Sequence, residues 1–321
     1  MKQLCFGVDI GGTAVKVGLF TSEGELLKKW EFATERTGDG RDILRDAANF
    51  ILDKVDEMSL KRDEITGIGV GVPGPVKDDG EVQELPNLGL GHFNIEEALE
   101  ELTGFRVKAG NDANVAALGE QWQGSGKGYQ NMVLVTLGTG VGGGIILKGT
   151  MLAGSNGAAG EIGHILVNEQ EEAYCGCGKR GCLEQYASAT GIVRIAKDRL
   201  AAFAEPSTLR NPEELSVKRV FDAAKAGDAL AKKVVEEALR YLGLALSHIA
   251  QVIDPEVFVI GGGVSKAGEI ITDTVKSYYE KNVMNALKNK EFRLATLGND
   301  AGIYGSAKLI LASNEGVQNK V

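Results

Sequence analysis

Val8-Asp9-Ile10-Gly11-Gly12-Thr13 and Val135-Thr136-Leu137-Gly138-Thr139-Gly140 read as one pattern used twice, about 127 positions apart. Each is the end of an apolar run that breaks at glycine. Each is followed by a second run, residues 15–20 in the first case and 141–147 in the second. A strand, a glycine turn and a strand repeated at this spacing predict two similar α/β domains. Glycine hairpins are common, so either copy alone decides little; the pair, with Lys16 after the first, decides the fold class.

Working outward, Leu4 to Ile10 is the opening strand, and Glu23-Gly24-Glu25 turns the chain into a third run. Residues 43–60 carry apolar side chains at helical spacing, and 65–72 form a continuous β-rich run that ends in Pro73-Gly74-Pro75. Asn94 to Glu97 has the form of a capping box for a helix ending near Gly104. A short strand at 106–109 and a helix opening at Asn111-Asp112 follow. Beyond the second hairpin, 228–252 is a long helix stopped by Pro255. Residues 257–260 are a buried strand leading into Gly261-Gly262-Gly263-Val264-Ser265 and a helix start. Strand and helix alternate, as in an α/β fold.

Of the 321 residues 44 are glycine, roughly twice the usual share of ~7%. There is no Gly-X-Y period, and 43% apolar residues are too many for a disordered linker. The excess therefore belongs at sharp turns or where a ligand meets the backbone; ten of these glycines fall in 138–163. The formal net charge of −9 disfavours nucleic acid as a bulk partner but not a small anion held by backbone N–H groups. No apolar run is long enough to span a bilayer, and Asp9 interrupts the start too early for a signal peptide. The expected compartment is the cytoplasm, with no membrane partner.

Two glycine hairpins can hold a polyphosphate, because N–H groups without Cβ atoms beside them approach oxygens directly. Thr13 and Thr139 add hydroxyls and Lys16 a positive charge. The pattern is not Gly-x4-Gly-Lys-Ser/Thr, so a P-loop is not expected. Asp9 is placed to hold a phosphate-bound magnesium ion through water or merely to cap a turn. Asp112, at a helix start, is placed either as an ionised proton acceptor or as an ordinary cap. His164, Cys175, Cys177 and Cys182 supply the Cys3His set of a closed structural zinc site, although their spacings of 11, 2 and 5 are not the usual paired CxxC. Glu161 and Glu184 flank that set and could accept hydrogen bonds from several hydroxyls, or could be solvated charges. His92 and His248 read as a loop residue and a residue on an apolar helix face.

The chain resembles the ROK family of sugar kinases and repressors, most closely its bacterial glucokinases. The resemblance runs over Asp9 to Lys16, Gly71 to Val76, Glu84-Leu85-Pro86-Asn87, Asn111-Asp112-Ala113-Asn114, Leu137 to Gly144, Gly160-Glu161-Ile162-Gly163-His164, Cys175 to Glu184 and Gly261 to Ser265. It implies an actin-like, ribonuclease H-like or hexokinase-type two-domain fold with a central cleft, commonly a homodimer or homotetramer. The expected division is 1–118, with a helix at about 302–315 packing back on it, and 119–301 carrying the zinc loop. The resemblance implies ATP-dependent phosphorylation of glucose at the 6-hydroxyl, with Asp112 as catalytic base. Gly74, Asn87, Asn111, Glu161, His164 and Glu184 would contact the sugar. Asp9, Gly11, Gly12, Thr13, Lys16, Gly138, Thr139, Gly140, Gly262 and Gly263 would hold Mg-ATP. Alternatives are a kinase for N-acetylmannosamine, fructose or mannose, or a non-catalytic sugar sensor. With eight residues ahead of Asp9, a DNA-binding segment like that of the repressors is not expected.

Overall fold

The computed structural model describes residues 3–35, 41–82, 88–89, 91–210 and 215–318. The chain forms two compact units: Met1–Gln130 with Gly144–Gly160 and Leu297–Val321, and Asn131–Gly143 with Glu161–Thr296. In chain order the first elements are β1 (Leu4–Ile10), β2 (Ala14–Thr21), β3 (Leu26–Ala33), α1 (Arg41–Glu57) and β4 (Ile65–Val72). The short pair β5 (Glu81–Val82) and β6 (Phe93–Asn94), then α2 (Ile95–Thr103), β7 (Val107–Asn111) and α3 (Asp112–Gln123), follow. Then come β8 (Met132–Leu137), β9 (Val141–Leu147), β10 (Thr150–Met151), α4 (Glu184–Ala187), α5 (Ala189–Ala202), α6 (Val217–Lys225) and α7 (Ala229–Ile253). The chain closes with β11 (Val257–Gly261), α8 (Glu269–Asn282), β12 (Glu291–Leu294) and α9 (Ala301–Gln318).

The repeat read from the sequence is a repeat of sheet topology. One sheet has the order β3-β2-β1-β4-β7 and the other β10-β9-β8-β11-β12. In the first, β1 pairs antiparallel with β2 and parallel with β4, which pairs parallel with β7. In the second, β8, β11 and β12 are parallel and β9 pairs antiparallel with β10. Each glycine hairpin thus sits where an antiparallel pair adjoins parallel strands.

In the first unit α1 buries Ile43, Leu44, Ala47, Ala48, Ile51 and Val55 against β1, β2 and β4, each large side chain contributing about 1.5–3 kcal/mol. The helix stops at Glu57 rather than near Leu60. Ser59 takes a left-handed φ of 51°, and the Leu60 N–H turns back to the Val55 carbonyl, a Schellman-type ending. The opposite face of the sheet receives α9. Cβ atoms at Gly7 and Gly69 would stand 2.0 and 1.6 Å from the carbonyl oxygens of Ile303 and Ser306. Helix and sheet therefore meet backbone to backbone, and Cys5 is an inert thiol there, pushed up to about 12 by burial.

Strand β7 is an edge, and α2 covers it. Glu100 accepts the Val107 N–H at 2.9 Å and Glu96 accepts the Ala109 N–H at 3.0 Å, removing the unpaired donors that invite aggregation. Asn94 caps α2 through the N–H groups of Glu96 and Glu97. This fixes the direction in which β7 delivers Asn111 and α3.

In the second unit α7 packs against α5, α6 and α8. It is capped by Asp228 and ends at Asp254, whose φ is 51°. His248 is exposed on α7 and not on an apolar face. The glycine run after β11 does not open an α-helix directly. Gly262 and Gly268, with φ of 83° and 82°, bracket a 3-10 turn at Gly263–Ala267, and α8 begins only at Glu269. Among the described residues no helix is long and apolar enough to cross a membrane.

Candidate functional site

In the first unit β1 and β2 close around Gly11-Gly12-Thr13, with the Gly11 N–H donating to the Ala14 carbonyl at 3.0 Å. The antiparallel register sets Asp9 directly opposite Lys16. Burial raises the Asp9 carboxyl above its ordinary value, and the Lys16 charge pulls it partly back. A Cβ on Gly302 would lie 2.7 Å from the Asp9 carboxylate, so this carboxylate sits against the first turn of α9, the positive end of a helix. The Lys16 ammonium donates to the Asn299 carbonyl at 3.0 Å; of its three donors, two remain for a ligand.

The start of α3 settles which residue caps it. Asn111 has extended backbone (φ −62°, ψ 142°), and its Oδ1 accepts the N–H groups of Ala113 and Asn114 at 3.0 and 3.1 Å. Its Nδ2 donates to the Gly74 carbonyl at 3.1 Å. Asp112 is the first helical residue, exposed, with Oδ1 accepting the Ala113 N–H at 2.8 Å. Its carboxylate stands at the positive end of α3 while its neighbour does the capping. Gly74, Asn111 and Asp112 are thereby brought together. Asn87 lies outside the described residues.

In the second unit the hairpin between β8 and β9 is tighter, with the Gly138 N–H donating to the Gly140 carbonyl at 3.0 Å. Val141 is its anchor. The Val141 N–H donates to Glu184 Oε2 at 3.0 Å, and a Cβ on Gly163 would stand 2.1 Å from the Val141 oxygen. Glu184 and the Gly160-to-His164 segment are therefore seated on the same residue. Gly262 joins them, since a Cβ there would lie 2.4 Å from the Leu137 carbonyl. Around Gly138 and Gly263, by contrast, a Cβ would meet nothing within 4 Å.

His164, Cys175, Cys177 and Cys182 present four ligand atoms all within 4.8 Å of one another. Cys175 Sγ is 3.7 Å from His164 Nδ1, and the sulfurs of Cys177 and Cys182 are 3.6 Å apart with no disulfide. Tetrahedral ligands about 2.3 Å from an ion stand roughly 3.8 Å apart, so the spacing suits zinc. Burial and the neighbouring thiols push Cys182 up to about 12, whereas the Lys179 N–H lowers Cys177. A cation would relieve that crowding. His164 turns its other nitrogen, Nε2, toward Glu161 at 3.9 Å, and Glu184 Oε1 is 3.7 Å from Cys175 Sγ. Two antiparallel bridges, Leu166 with Cys182 and Tyr174 with Arg180, bring the irregularly spaced ligands together.

One set of residues escaped the sequence reading. A cavity of about 490 Å³ opens beside Thr139, lined by Thr190, Val193, Arg194 and Lys197 of α5 among others. Those four are spaced as one helix face. The Thr190 hydroxyl donates to the Thr139 carbonyl at 2.9 Å. Arg194 and Lys197 line this cavity together with Asp198, and Arg194 donates to Glu171 at 2.8 Å.

Comparisons with known proteins cover nearly the whole chain. The model of the ROK family matches residues 5–313. The chain is 44% identical over 309 residues to a glucokinase of Halalkalibacterium halodurans, covering 95% of this chain and 94% of that one. It is 36% identical over 315 residues to a glucokinase of Thermotoga maritima, covering 96% and 98%. Among solved structures, a ROK family glucokinase from Streptomyces griseus in complex with glucose and AMPPNP superposes with a TM-score of 0.75 at 35% identity, covering 95% of this chain and 98% of that one.

Proposed function

Because the chain belongs to the ROK family, we propose that it is a glucokinase, transferring the terminal phosphoryl group of ATP to the 6-hydroxyl of glucose to give glucose 6-phosphate and ADP. The observation that carries this reading is the division of labour at the start of α3. Asn111 caps the helix, and the exposed Asp112 carboxylate, whose Oδ1 accepts the Ala113 N–H, stands at the positive end of α3 where a proton acceptor is favoured in its ionised form. Phosphoryl transfer asks little covalent chemistry of the protein, so one positioned base and charge stabilisation are sufficient.

Asp112 takes the 6-hydroxyl proton as that oxygen attacks the phosphorus. Gly74, Asn87, Asn111, Glu161, His164 and Glu184 orient the sugar hydroxyls. His164 uses Nε2 for the sugar and Nδ1 for the metal; the placement of Nδ1 beside Cys175 supports this split. Lys16 and the turns Gly11-Gly12-Thr13 and Gly138-Thr139-Gly140 hold the phosphates, with Gly262 and Gly263 beside them; the N–H groups of Gly11 and Gly138 close the turns themselves. The α5 cavity offers the rest of the nucleotide Thr190, Arg194 and Lys197. Asp9 would hold magnesium through water, and the ion would neutralise phosphate charge. His164, Cys175, Cys177 and Cys182 would hold a structural zinc that stiffens the loop bearing Glu184. The protein works in the cytoplasm, where thiols stay reduced, as a homodimer or homotetramer.

Measuring ADP release over a panel of sugars tests the substrate. Turnover with N-acetylmannosamine, fructose or mannose but none with glucose would move the chain to another hexose. Asp112→Asn should lower kcat by about 100-fold or more while glucose still binds in calorimetry; a variant that keeps most of its rate would remove Asp112 as the base. Metal analysis should find about one zinc per chain, and an active, stable, zinc-free preparation would overturn the site.

A further inference from the structure

Glu120 is a fully buried carboxylate that the reading above does not use. It lies in the last turn of α3, eight residues after Asp112. A negative charge there is buried and also set at the negative end of its own helix, so it is held by the bonds it accepts. These close the turn after α3 and also reach the 297–301 stretch. Oε1 accepts the Leu297 N–H at 2.8 Å, and Oε2 accepts the N–H and hydroxyl of Ser125 at 2.9 and 3.2 Å. Room for it depends on Gly124, where a Cβ would come 2.0 Å from Oε2. One residue earlier on α3, a Cβ on Gly119 would stand 2.3 Å from the Ala301 carbonyl. Helix α3 therefore grips the 297–301 stretch at two successive positions.

That stretch faces the first glycine hairpin. The Asn299 carbonyl accepts from the Lys16 ammonium, Asp300 pairs with Lys29 at 2.9 Å, and Gly302 lies against Asp9. The Lys29 pair is solvent-exposed and such pairs contribute little, whereas the Leu297 amide bonds to the fully buried carboxylate of Glu120. We infer that Glu120 is a positioning residue for the nucleotide end of the site: by fixing the Leu297 amide it holds the Asn299 carbonyl where it aims the Lys16 ammonium. One helix then carries the base at its start and steers the phosphate-binding lysine from its end. This rests on the assignment of Lys16 to Mg-ATP.

The test is a double-mutant cycle on the full-length protein, with MgADP and glucose affinities measured separately by calorimetry. Glu120→Gln should weaken MgADP by about tenfold, the order for one lost hydrogen bond to a charged group, and leave glucose affinity unchanged. Placed on Lys16→Met, the same substitution should cost less than about twofold, because both act through one contact. Equal loss in the Lys16→Met background, or a parallel loss of glucose binding, would reduce Glu120 to a general structural role and overturn the inference. Should Glu120→Gln not fold, Ser125→Ala, which removes one bond to the carboxylate, should show the same pattern at roughly two- to threefold; no change in MgADP affinity there overturns it equally. Wild-type protein that binds no MgADP would sink the kinase reading together with this one, whereas unchanged binding in the variants sinks only this one.

Discussion

The two glycine hairpins share a strand, turn and strand backbone but are held by opposite charges. At the first, Asp9 faces Lys16 across the strands and the protein supplies a cation at the turn. At the second, the carboxylate of Glu184 bonds the Val141 amide and fills the space beside Gly140. The same residue type thus means different things. Gly138 and Gly263 look onto open space that a ligand could enter, while Gly140, Gly163 and Gly262 are glycine because the protein's own atoms occupy the place of a Cβ. Abundant glycine in this chain is therefore only partly about a ligand.

Substituting within the second hairpin separates the two meanings. Gly140→Ala would place a Cβ 2.3 Å from Glu184 Oε2. That oxygen is the end of a flexible side chain, so the fold persists and the carboxylate swings off Val141. With Glu184 displaced, kcat/KM for glucose should fall by tenfold or more, on the order of one lost charge-assisted hydrogen bond, at nearly unchanged Tm. Gly138→Ala meets no protein atom, so its effect should be smaller and confined to the nucleotide: a raised KM for ATP with the KM for glucose retained. If steady-state kinetics found both variants hurting the same substrate, the distinction between filled and open glycines would be wrong.

The contrast also shows what a sequence can reveal. The repeat was legible because strand, glycine turn and strand are encoded in adjacent residues, and the ROK resemblance covered most of the chain. The Cys3His cluster was legible by residue type, since three of four cysteines and a histidine crowd into 19 positions, although only the two β-bridges explain how their irregular spacing converges. Asn111 and Asp112 could not be told apart as caps from residue type, because both are good ones; backbone geometry decided between them. Glu120 and the α5 cavity were not legible at all. A glutamate on a helix reads as a solvated charge, and Arg194 and Lys197 join Thr139 only through packing of segments some 50 residues apart.

The smallest expected effect concerns the charge that distinguishes the first hairpin. The folded-state pKa of Asp9 is raised, chiefly by burial, from an ordinary value near 3.8, with Lys16 opposing. Below the unfolded value Asp9 is protonated in both states and adds no penalty. As pH rises through the folded value the buried group ionises, and the stability associated with its proton is lost. At neutral pH Asp9 therefore costs stability, which Lys16 offsets in part. Asp9→Asn should raise the Tm of the ligand-free protein by a few degrees at pH 7, and the gap from wild type should close as pH falls toward 4. Comparing the two proteins at each pH cancels the other carboxylates, which dominate acid unfolding in both. A variant less stable than wild type at pH 7 would mean that pairing with Lys16 outweighs burial, and the first hairpin would then be held together by its charges and not strained by them.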